Sequence, residues 1–333
     1  MRIVALDIVR FFAALSVVLY HLVSRPESDA YPLLSEVTQY GYLGVPLFFM
    51  ISGFVIVFSA MNRSAMAFAL SRFMRLYPTL WVGVVFTVFV TWMFADNSHS
   101  FLHVMSNLTL LQSYLGFMDI DGIYWTLKAE LKFYLCIFLL IQFKVIEKIS
   151  VWLSIWLLLT VLHTLFGQPF FMGWFISPSY SSFFMAGVVF FLIKEHGMSR
   201  FNSFVLMATF ILSSYYGFIH TEQFITNAGL WQKMISVLFI WSFYGVFYLL
   251  STGRFTVKQR NVFLMMGGIT YPLYLIHNVA GKAIIDYCMN TIPESVAIIL
   301  VVLLMLFVAW LIHAYVENRL ITPVKKHVLS LFK

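Results

Sequence analysis

The chain has 333 residues, of which 61% are hydrophobic and only 11% are charged. A soluble globular protein carries about 25% charged residues, so this composition excludes a soluble domain and indicates a protein embedded in lipid. The net charge of +7 needs no nucleic acid to explain it, because basic residues that face anionic membrane lipids account for it.

Ten apolar runs recur along the chain, and most are long enough to cross a hydrocarbon layer of about 30 Å as a helix. They cover residues 3–23, 41–61, 78–95, 124–143, 150–166, 180–193, 201–219, 229–250, 262–285 and 295–316. The sixth run is short, and Pro178 blurs its start. The pattern predicts an all-α, polytopic membrane protein with about ten transmembrane helices in one domain, residues 1–333. The longest connection contains an apolar stretch, residues 107–117, that lies in the membrane interface or re-enters the bilayer.

Basic residues in the connections predict the orientation, because cytoplasmic loops hold an excess of Lys and Arg. With the N-terminus inside, only Arg25 and Lys282 fall on the outer side. The cytoplasmic side receives Arg2, Arg63, Arg72, Arg75, Lys144, Lys148, Lys194, Arg200, Arg254, Lys258, Arg260, Arg319, Lys325, Lys326 and Lys333. This separation predicts that both termini are cytoplasmic.

The first apolar run contains three ionisable residues, Asp7, Arg10 and His21. On a helix, the step from Arg10 to His21 closes to about 20°, so both side chains lie on one face roughly 16 Å apart. Asp7 lies three residues from Arg10, close enough to pair with it. Ionisable residues inside a span indicate function. His21 is therefore expected to take a proton from a hydroxyl nucleophile; the alternative is a neutral histidine bonded to a neighbouring helix.

Polar or small residues in the next spans extend the candidate site. Ser52 and Gly53 either pack against another helix or line a substrate channel. Arg72 and Arg75 share one helical face at the cytoplasmic mouth, with Pro78 expected to start the third span. A pair of guanidiniums suits phosphate, although charge anchoring at the cytoplasmic face explains the pair as well.

A polar stripe opens the fourth span, because Thr126, Glu130 and Tyr134 recur every four residues. Glu130 is a candidate to orient His21, to bind an acceptor hydroxyl or to act as a second acid or base; the alternative is a structural carboxylate paired with an arginine.

The ninth span places Thr270, Tyr274 and His277 on one face, where His277 is either structural or catalytic. Pro272 is expected to kink this helix and open a cavity. Two further histidines, His99 and His103, have no third ligand near them in sequence, so no metal site is expected.

Several motifs, taken in chain order, resemble the acyltransferase 3 family of membrane O-acyltransferases. They are Arg10 with His21, Phe48 to Phe54, Arg72 with Arg75 to Pro78, Trp125 to Glu130 with Phe133 and Tyr134, Tyr271 to His277, and Tyr315 to Glu317. The family often has Ser where this chain has Thr126 and Thr270. It also often has Pro soon after the glutamate that corresponds to Glu317, where this chain has Asn318. The last departure limits the expected role of Glu317 to helix termination.

The resemblance implies an enzyme of the bacterial cytoplasmic (inner) membrane that moves an acyl group, usually acetyl, from cytoplasmic acyl-CoA to a hydroxyl of a surface glycan or its lipid-linked precursor. Acyl-CoA is then a co-substrate, and no cofactor is bound. Any soluble esterase-like partner is expected to be a separate protein, since the chain ends at Lys333. The expected catalytic residues are His21, Glu130 and Arg10. The expected substrate-binding residues are Arg72, Arg75, Asp7, Ser52, Gly53, Trp125, Thr126, Tyr134, Tyr274 and His277.

A transporter or flippase of a lipid-linked or anionic substrate is the alternative from another functional class, with the buried charges lining its path. The absence of a repeated half in the sequence disfavours it. The acceptor glycan, the acyl chain, the oligomeric state and the choice between direct transfer and an acyl-enzyme intermediate stay open.

Overall fold

The computed structural model describes residues 3–25, 30–61, 63–168, 171–175 and 177–330, so Arg2 and Lys333 of the basic set lie outside it. Of the described residues, 81% are helical and none lies in a strand. The α-helices are α1 (Val4–Leu22), α2 (Pro32–Thr38), α3 (Gly44–Ala60), α4 (Ala65–Phe94), α5 (Phe101–Leu108), α6 (Tyr124–Gln142), α7 (Ile149–Phe166), α8 (Met172–Phe175), α9 (Pro178–His196), α10 (Arg200–Phe224), α11 (Leu230–Ser251), α12 (Asn261–Ile276), α13 (Val279–Cys288), α14 (Glu294–Leu311) and α15 (Thr322–Ser330). Short 3₁₀ helices cover Gln39–Leu43 and Gln112–Leu115, and a π-helix covers Ile312–Ile321.

Each of the ten apolar runs contains a helix, which confirms the all-α, polytopic prediction. Within the described residues, seven helices are long and apolar enough to span a membrane, or eight if α12 and α13 count as one bent span. Helices α6 and α9 fall short, although each has 19 residues, because charged or polar side chains interrupt them. The count of ten spans and the cytoplasmic termini therefore stay predictions.

Helix α4 differs from the predicted third span, because it begins at Ala65 and Pro78 lies inside it. Ser64 caps its N-terminus through a bond from the Ala67 N–H to Oγ at 3.2 Å. The residues between Ser64 and Pro78 are mostly good helix formers, so the helix continues through the proline despite one lost backbone hydrogen bond. Arg72 and Arg75 thus lie within this helix and not in a loop before it.

The chain forms two compact units, each described by itself. Unit 1 contains Met1–Arg10, Leu43–Phe68 and Ala129–Gln259. Unit 2 contains Phe11–Tyr42, Ala69–Lys128 and Arg260–Lys333. Helix α1 contributes residues to both units.

Close contact between α3 and α9 organises unit 1, and two glycines allow it. A Cβ at Gly53 would overlap the backbone carbonyl of Phe184, and one at Gly187 would overlap that of Met50. Aromatic rings fill the space beside this contact, with the Phe184 ring centroid 4.6 Å from that of Phe49 and 4.4 Å from that of Phe133. The position of Gly53 favours the packing interpretation over the channel-lining one.

Gly53→Ala is therefore expected to destabilise the folded protein strongly, because backbone atoms of α9 would have to move to admit the methyl group. The measurement is the yield of monodisperse protein and its melting temperature in detergent. Gly245→Ala is the matched control, since a Cβ on that helical glycine would meet no atom within 4 Å. Alanine there is expected to be neutral or slightly stabilising. Equal stability of the two variants would contradict the packing role of Gly53.

A bent helix pair organises the candidate site of unit 2. Helices α12 and α13 differ in direction by 70°, and the break lies at His277 and Asn278. This bend is not at Pro272, which lies inside α12, and the predicted kink at Pro272 itself stays a prediction. Polar partners at the break, described below, hold the bend instead.

The end of α5 and the segment that follows it run back along α4. The Tyr77 hydroxyl donates to the Thr109 carbonyl and the Trp81 indole N–H donates to the Leu108 carbonyl, both at 3.1 Å. Trp81 lies 13 residues before Phe94, the end of α4, so the segment reaches about 20 Å down this helix. Of the two interpretations of residues 107–117, these contacts favour re-entry.

Candidate functional site

Two histidine rings face each other in unit 2. His21 is the penultimate residue of α1, and its ring centroid lies 5.4 Å from that of His277. The ring of Tyr20 packs edge-on against His21 at 4.9 Å. Within the described part of the chain, no hydrogen bond to a neighbouring helix holds the His21 ring. The alternative of a bonded structural histidine therefore has no support at His21.

The surroundings of His277 define its tautomer. Its Nδ1 lies 2.8 Å from the Tyr274 carbonyl oxygen and 3.2 Å from that of Leu273. Carbonyl oxygens only accept hydrogen bonds, so Nδ1 carries the proton and Nε2 of the neutral ring is an acceptor. His277 is 0% exposed, and among the described residues Nε2 has no partner. The site thus contains a buried, preoriented proton acceptor beside His21.

A carboxylate holds the break that presents His277. Asp121 is fully buried, and its Oδ1 accepts from the Asn278 side-chain amide at 2.7 Å and from the Ile123 N–H at 3.2 Å. Its Oδ2 accepts from the N–H of Val279, the first residue of α13, at 3.0 Å. Asp121 therefore caps α13 and fixes the chain at the break and at the start of α13.

Sequence reasoning missed Asp121 and Asn278 as site residues. Their only signal was polarity in apolar surroundings, which also marks many loop residues. Lys282 was assigned to an outer loop, whereas it lies on α13, one turn after Asn278. It acts electrostatically on both imidazoles.

Two more predicted residues join this cluster in unit 2. The hydroxyls of Thr126 and Tyr274 share a hydrogen bond of 2.8 Å, and the Tyr274 ring lies 5.6 Å from that of His277. Trp125, the neighbour of Thr126, is half-buried. The site is thus lined by hydroxyls, as the sequence predicted for Thr126 and Tyr274.

Glu130 forms a separate polar cluster in unit 1. Its Oε1 accepts from the Ser52 hydroxyl at 2.8 Å and from the Tyr134 hydroxyl at 2.7 Å. Both bonds fall on one oxygen, so the other carboxylate oxygen makes no hydrogen bond within the described part of the chain. The partners of Glu130 are hydroxyls and not an arginine, which leaves the carboxylate able to bind a further hydroxyl.

Asp7 and Arg10 also belong to unit 1. The Asp7 Oδ1 lies 3.8 Å from the Arg10 Nη1, which confirms the predicted ion pair across one turn of α1. Both side chains are largely buried, with 10% and 14% of their surface exposed. The distance is too long for a hydrogen bond, so the pair is held by charge.

The arginine pair on α4 presents one half-buried and one exposed guanidinium. Arg72 is partly buried, with its Nη2 3.5 Å from the Ser71 hydroxyl, and Arg75 is exposed. The two lie three residues apart, on one face of the helix, as predicted. Such a pair offers several N–H donors to a phosphate.

Glu317 does not terminate its helix, so that expectation was wrong. It lies inside the π-helix, and α15 continues the helix after it. Its Oε1 accepts from the Thr79 hydroxyl at 3.0 Å, and its Oε2 lies 2.7 Å from Nδ1 of His313. Gly268 lets the His313 ring approach α12, because a Cβ there would overlap the ring. The π-helix turns this polar group inward, and such bulges are frequent at functional sites.

Comparison with known proteins places these clusters in a family. The acyltransferase 3 family, described as an acyltransferase domain, matches residues 3–314. The acyltransferase MdmB of Streptomyces mycarofaciens is 28% identical over 146 residues, which is 40% of this chain and 38% of that protein. The chain thus aligns with well under half of this curated relative. No solved structure matches the chain significantly. Because the family match covers nearly the whole chain, the protein belongs to the acyltransferase 3 family of membrane acyltransferases.

Proposed function

We propose that the protein is a membrane O-acyltransferase that moves an acyl group, most simply acetyl, from cytoplasmic acyl-CoA to a hydroxyl of a cell-surface polysaccharide or its lipid-linked precursor. Its expected location is the bacterial cytoplasmic membrane. The observation that carries the proposal is the close pair of imidazoles, half-buried His21 and buried His277, in a chain of an acyltransferase family. A neutral imidazole is the usual base for activating a hydroxyl near pH 7.

The proposed reaction is a direct transfer. An imidazole nitrogen of His21 takes the proton of the acceptor hydroxyl while the oxygen attacks the thioester carbonyl carbon. The new C–O bond forms, the C–S bond breaks, and the CoA thiolate leaves with the proton from the His21 imidazolium. The preoriented Nε2 of His277 is suited to accept a hydrogen bond from His21 or from the acceptor, which keeps the reacting groups aligned.

The other expected site residues take supporting roles in the proposal. Arg72 and Arg75 bind the CoA phosphates, since paired guanidiniums match phosphate oxygens. Arg10, held by Asp7, lies along the path of the pantetheine or thioester. Glu130 uses the oxygen that its two hydroxyl partners leave open to hold a substrate hydroxyl or to act as a second acid or base. The hydroxyls and rings of the substrate-binding set, which includes Trp125, Thr126 and Tyr274, shape the pocket.

Binding of CoA to the purified protein in lipid separates this enzyme from the transporter alternative. Replacing both Arg72 and Arg75 with alanine is expected to weaken CoA binding at least about tenfold, because each charge-assisted hydrogen bond contributes about 1.5–3 kcal/mol. The measurement is equilibrium binding of labelled CoA to the wild-type and variant proteins.

Arg63→Ala is the control, since Arg63 is exposed and belongs to the same basic set without sharing the face of Arg72 and Arg75. It is expected to leave CoA binding unchanged. A wild-type protein that binds no CoA, or binds it equally well without both arginines, would favour the transporter. Mass spectrometry of surface glycan from cells with and without the protein then identifies the acyl group and its acceptor.

A further inference from the structure

The outer end of the histidine site contains basic groups that the proposed transfer does not use. We propose that Lys282, together with Arg25, binds an anionic group on the acceptor, a phosphate or a carboxylate, next to the hydroxyl that is acylated. The proposal rests on the acyl transfer proposed above and adds the chemical class of the acceptor.

The sequence places few basic residues on this side. With the proposed inside N-terminus, Arg25 and Lys282 are the two basic residues that fall outside, against fifteen on the cytoplasmic side. The positive-inside bias disfavours basic residues in outer positions. Both exceptions nevertheless belong to unit 2, with Lys282 on α13 and Arg25 three residues beyond the end of α1, the helix that carries His21. Their placement therefore requires a reason other than anchoring.

Two chain segments bring these residues together. One runs from His21 to Arg25, which lies three residues beyond the end of α1, and the other runs from Asn278, the cap of α13, through Lys282 to Asp286. At one end of these segments the rings of His21 and His277 lie 5.4 Å apart. At the other end the Arg25 Nη2 lies 2.5 Å from the Asp286 Oδ1. Lys282 lies between these two contacts on α13, so its ammonium is held beside the imidazoles.

Several donors in this patch have no partner. Among the residues that the structure describes, the Lys282 ammonium makes no hydrogen bond or ion pair, and the buried Nη1 of Arg25 has no acceptor. Leaving the Arg25 Nη1 donor unpaired away from water costs free energy, which a bound anion recovers, and the half-buried Lys282 adds a second positive charge.

The nearby carboxylates do not satisfy these donors. Asp286 is paired with Arg25 through Nη2, and its side chain is 57% exposed. Asp121 accepts three N–H bonds at the helix break. Both attract Lys282 electrostatically, but neither lies within hydrogen-bond distance of it. An oxyanion with several acceptor oxygens fits the remaining donors of Lys282 and Arg25.

The experiment measures binding of three small sugars to the full chain in phosphatidylcholine nanodiscs. The probes are glucose 1-phosphate, glucuronate and neutral glucose. Saturation-transfer NMR measures the binding of each sugar. One or both anionic sugars are expected to bind at least about tenfold more tightly than glucose. Lys282→Met is expected to remove this preference, and Lys282→Arg to retain it. Lys233→Met is the matched control, because Lys233 pairs with Glu222 in unit 1.

The outcomes separate the sources of the anion and the two proposals. Preference for glucose 1-phosphate indicates a phosphate-linked precursor, and preference for glucuronate indicates an acidic sugar. Equal binding of all three sugars, or a preference that survives Lys282→Met, overturns the site. Loss of sugar binding in phosphatidylglycerol nanodiscs also overturns it, since a lipid headgroup is then the occupant. If the protein transfers no acyl group yet shows the Lys282-dependent preference, the transfer proposal fails and the anion site stands.

Discussion

Replacing His21 with alanine is expected to lower acyl transfer at least about a hundredfold, because the reaction then lacks its general base. The fold is expected to survive the change. Alanine favours the helix, and the contacts of the His21 ring in the described structure are with Tyr20 and His277, not with a hydrogen-bond partner. The measurement is transfer of labelled acetyl from acetyl-CoA to surface glycan in membranes that contain equal amounts of protein.

His163→Ala provides the control for a histidine inside an apolar helix. His163 lies on α7 and belongs to unit 1, and no role in the reaction is assigned to it. That variant is expected to retain transfer activity at a level close to that of the wild-type protein. If His21→Ala retains it as well, His21 is not the base.

A burst experiment distinguishes the two mechanisms open to His21. If the imidazole carries the acyl group, mixing the protein with acetyl-CoA alone releases about one equivalent of CoA per protein before the acceptor is added. Direct transfer from thioester to hydroxyl predicts no such burst. Because His21 is not fixed by a hydrogen bond within the described structure, we expect direct transfer with the ring turning between acceptor and leaving thiolate.

Hydropathy predicted the helices well where composition and helix length agree. The run 150–166 became α7 at Ile149–Phe166, and the run 3–23 became α1 at Val4–Leu22. The predicted start of α4 was too late, because Arg72 and Arg75 interrupt the apolar run but not the helix. Hydropathy reports the burial of a segment in lipid, whereas the helix itself needs only satisfied backbone groups and compatible side chains.

The candidate site was predictable only where its residues share one helix. The pair of Asp7 and Arg10 and the bond from Tyr134 to Glu130 follow from spacing within one helix. The bond between Asn278 and Asp121 joins positions 157 residues apart, and no local pattern connects them. A proline is a local signal of a helix kink, so the sequence predicted the kink at Pro272. A buried carboxylate that accepts from the amides of Asn278 and Val279, six and seven residues after the proline, gives no such signal.

Replacing Asp121 with asparagine is expected to have the second large effect. Asp121 receives three N–H donors from Asn278, Ile123 and Val279, and a side-chain amide keeps only one accepting oxygen. At least one donor loses its acceptor in an apolar site, at a cost of about 1–3 kcal/mol, and the NH₂ group faces another N–H. We expect a lower melting temperature and at least about a tenfold loss of acyl transfer, because the break no longer holds His277 against His21.

Asp96→Asn, in the connection between α4 and α5, removes the same charge as a control. Asp96 is exposed and has a φ of 47°, which asparagine adopts readily, so stability and activity are expected to stay unchanged. The combination of Asp121→Asn with His277→Gln tests whether Asp121 acts through His277. If it does, the double variant loses little more activity than the stronger single variant, since both changes remove one function. Additive losses of activity would mean that Asp121 stabilises the fold without positioning His277. A group other than Asp121 would then have to orient the His277 ring.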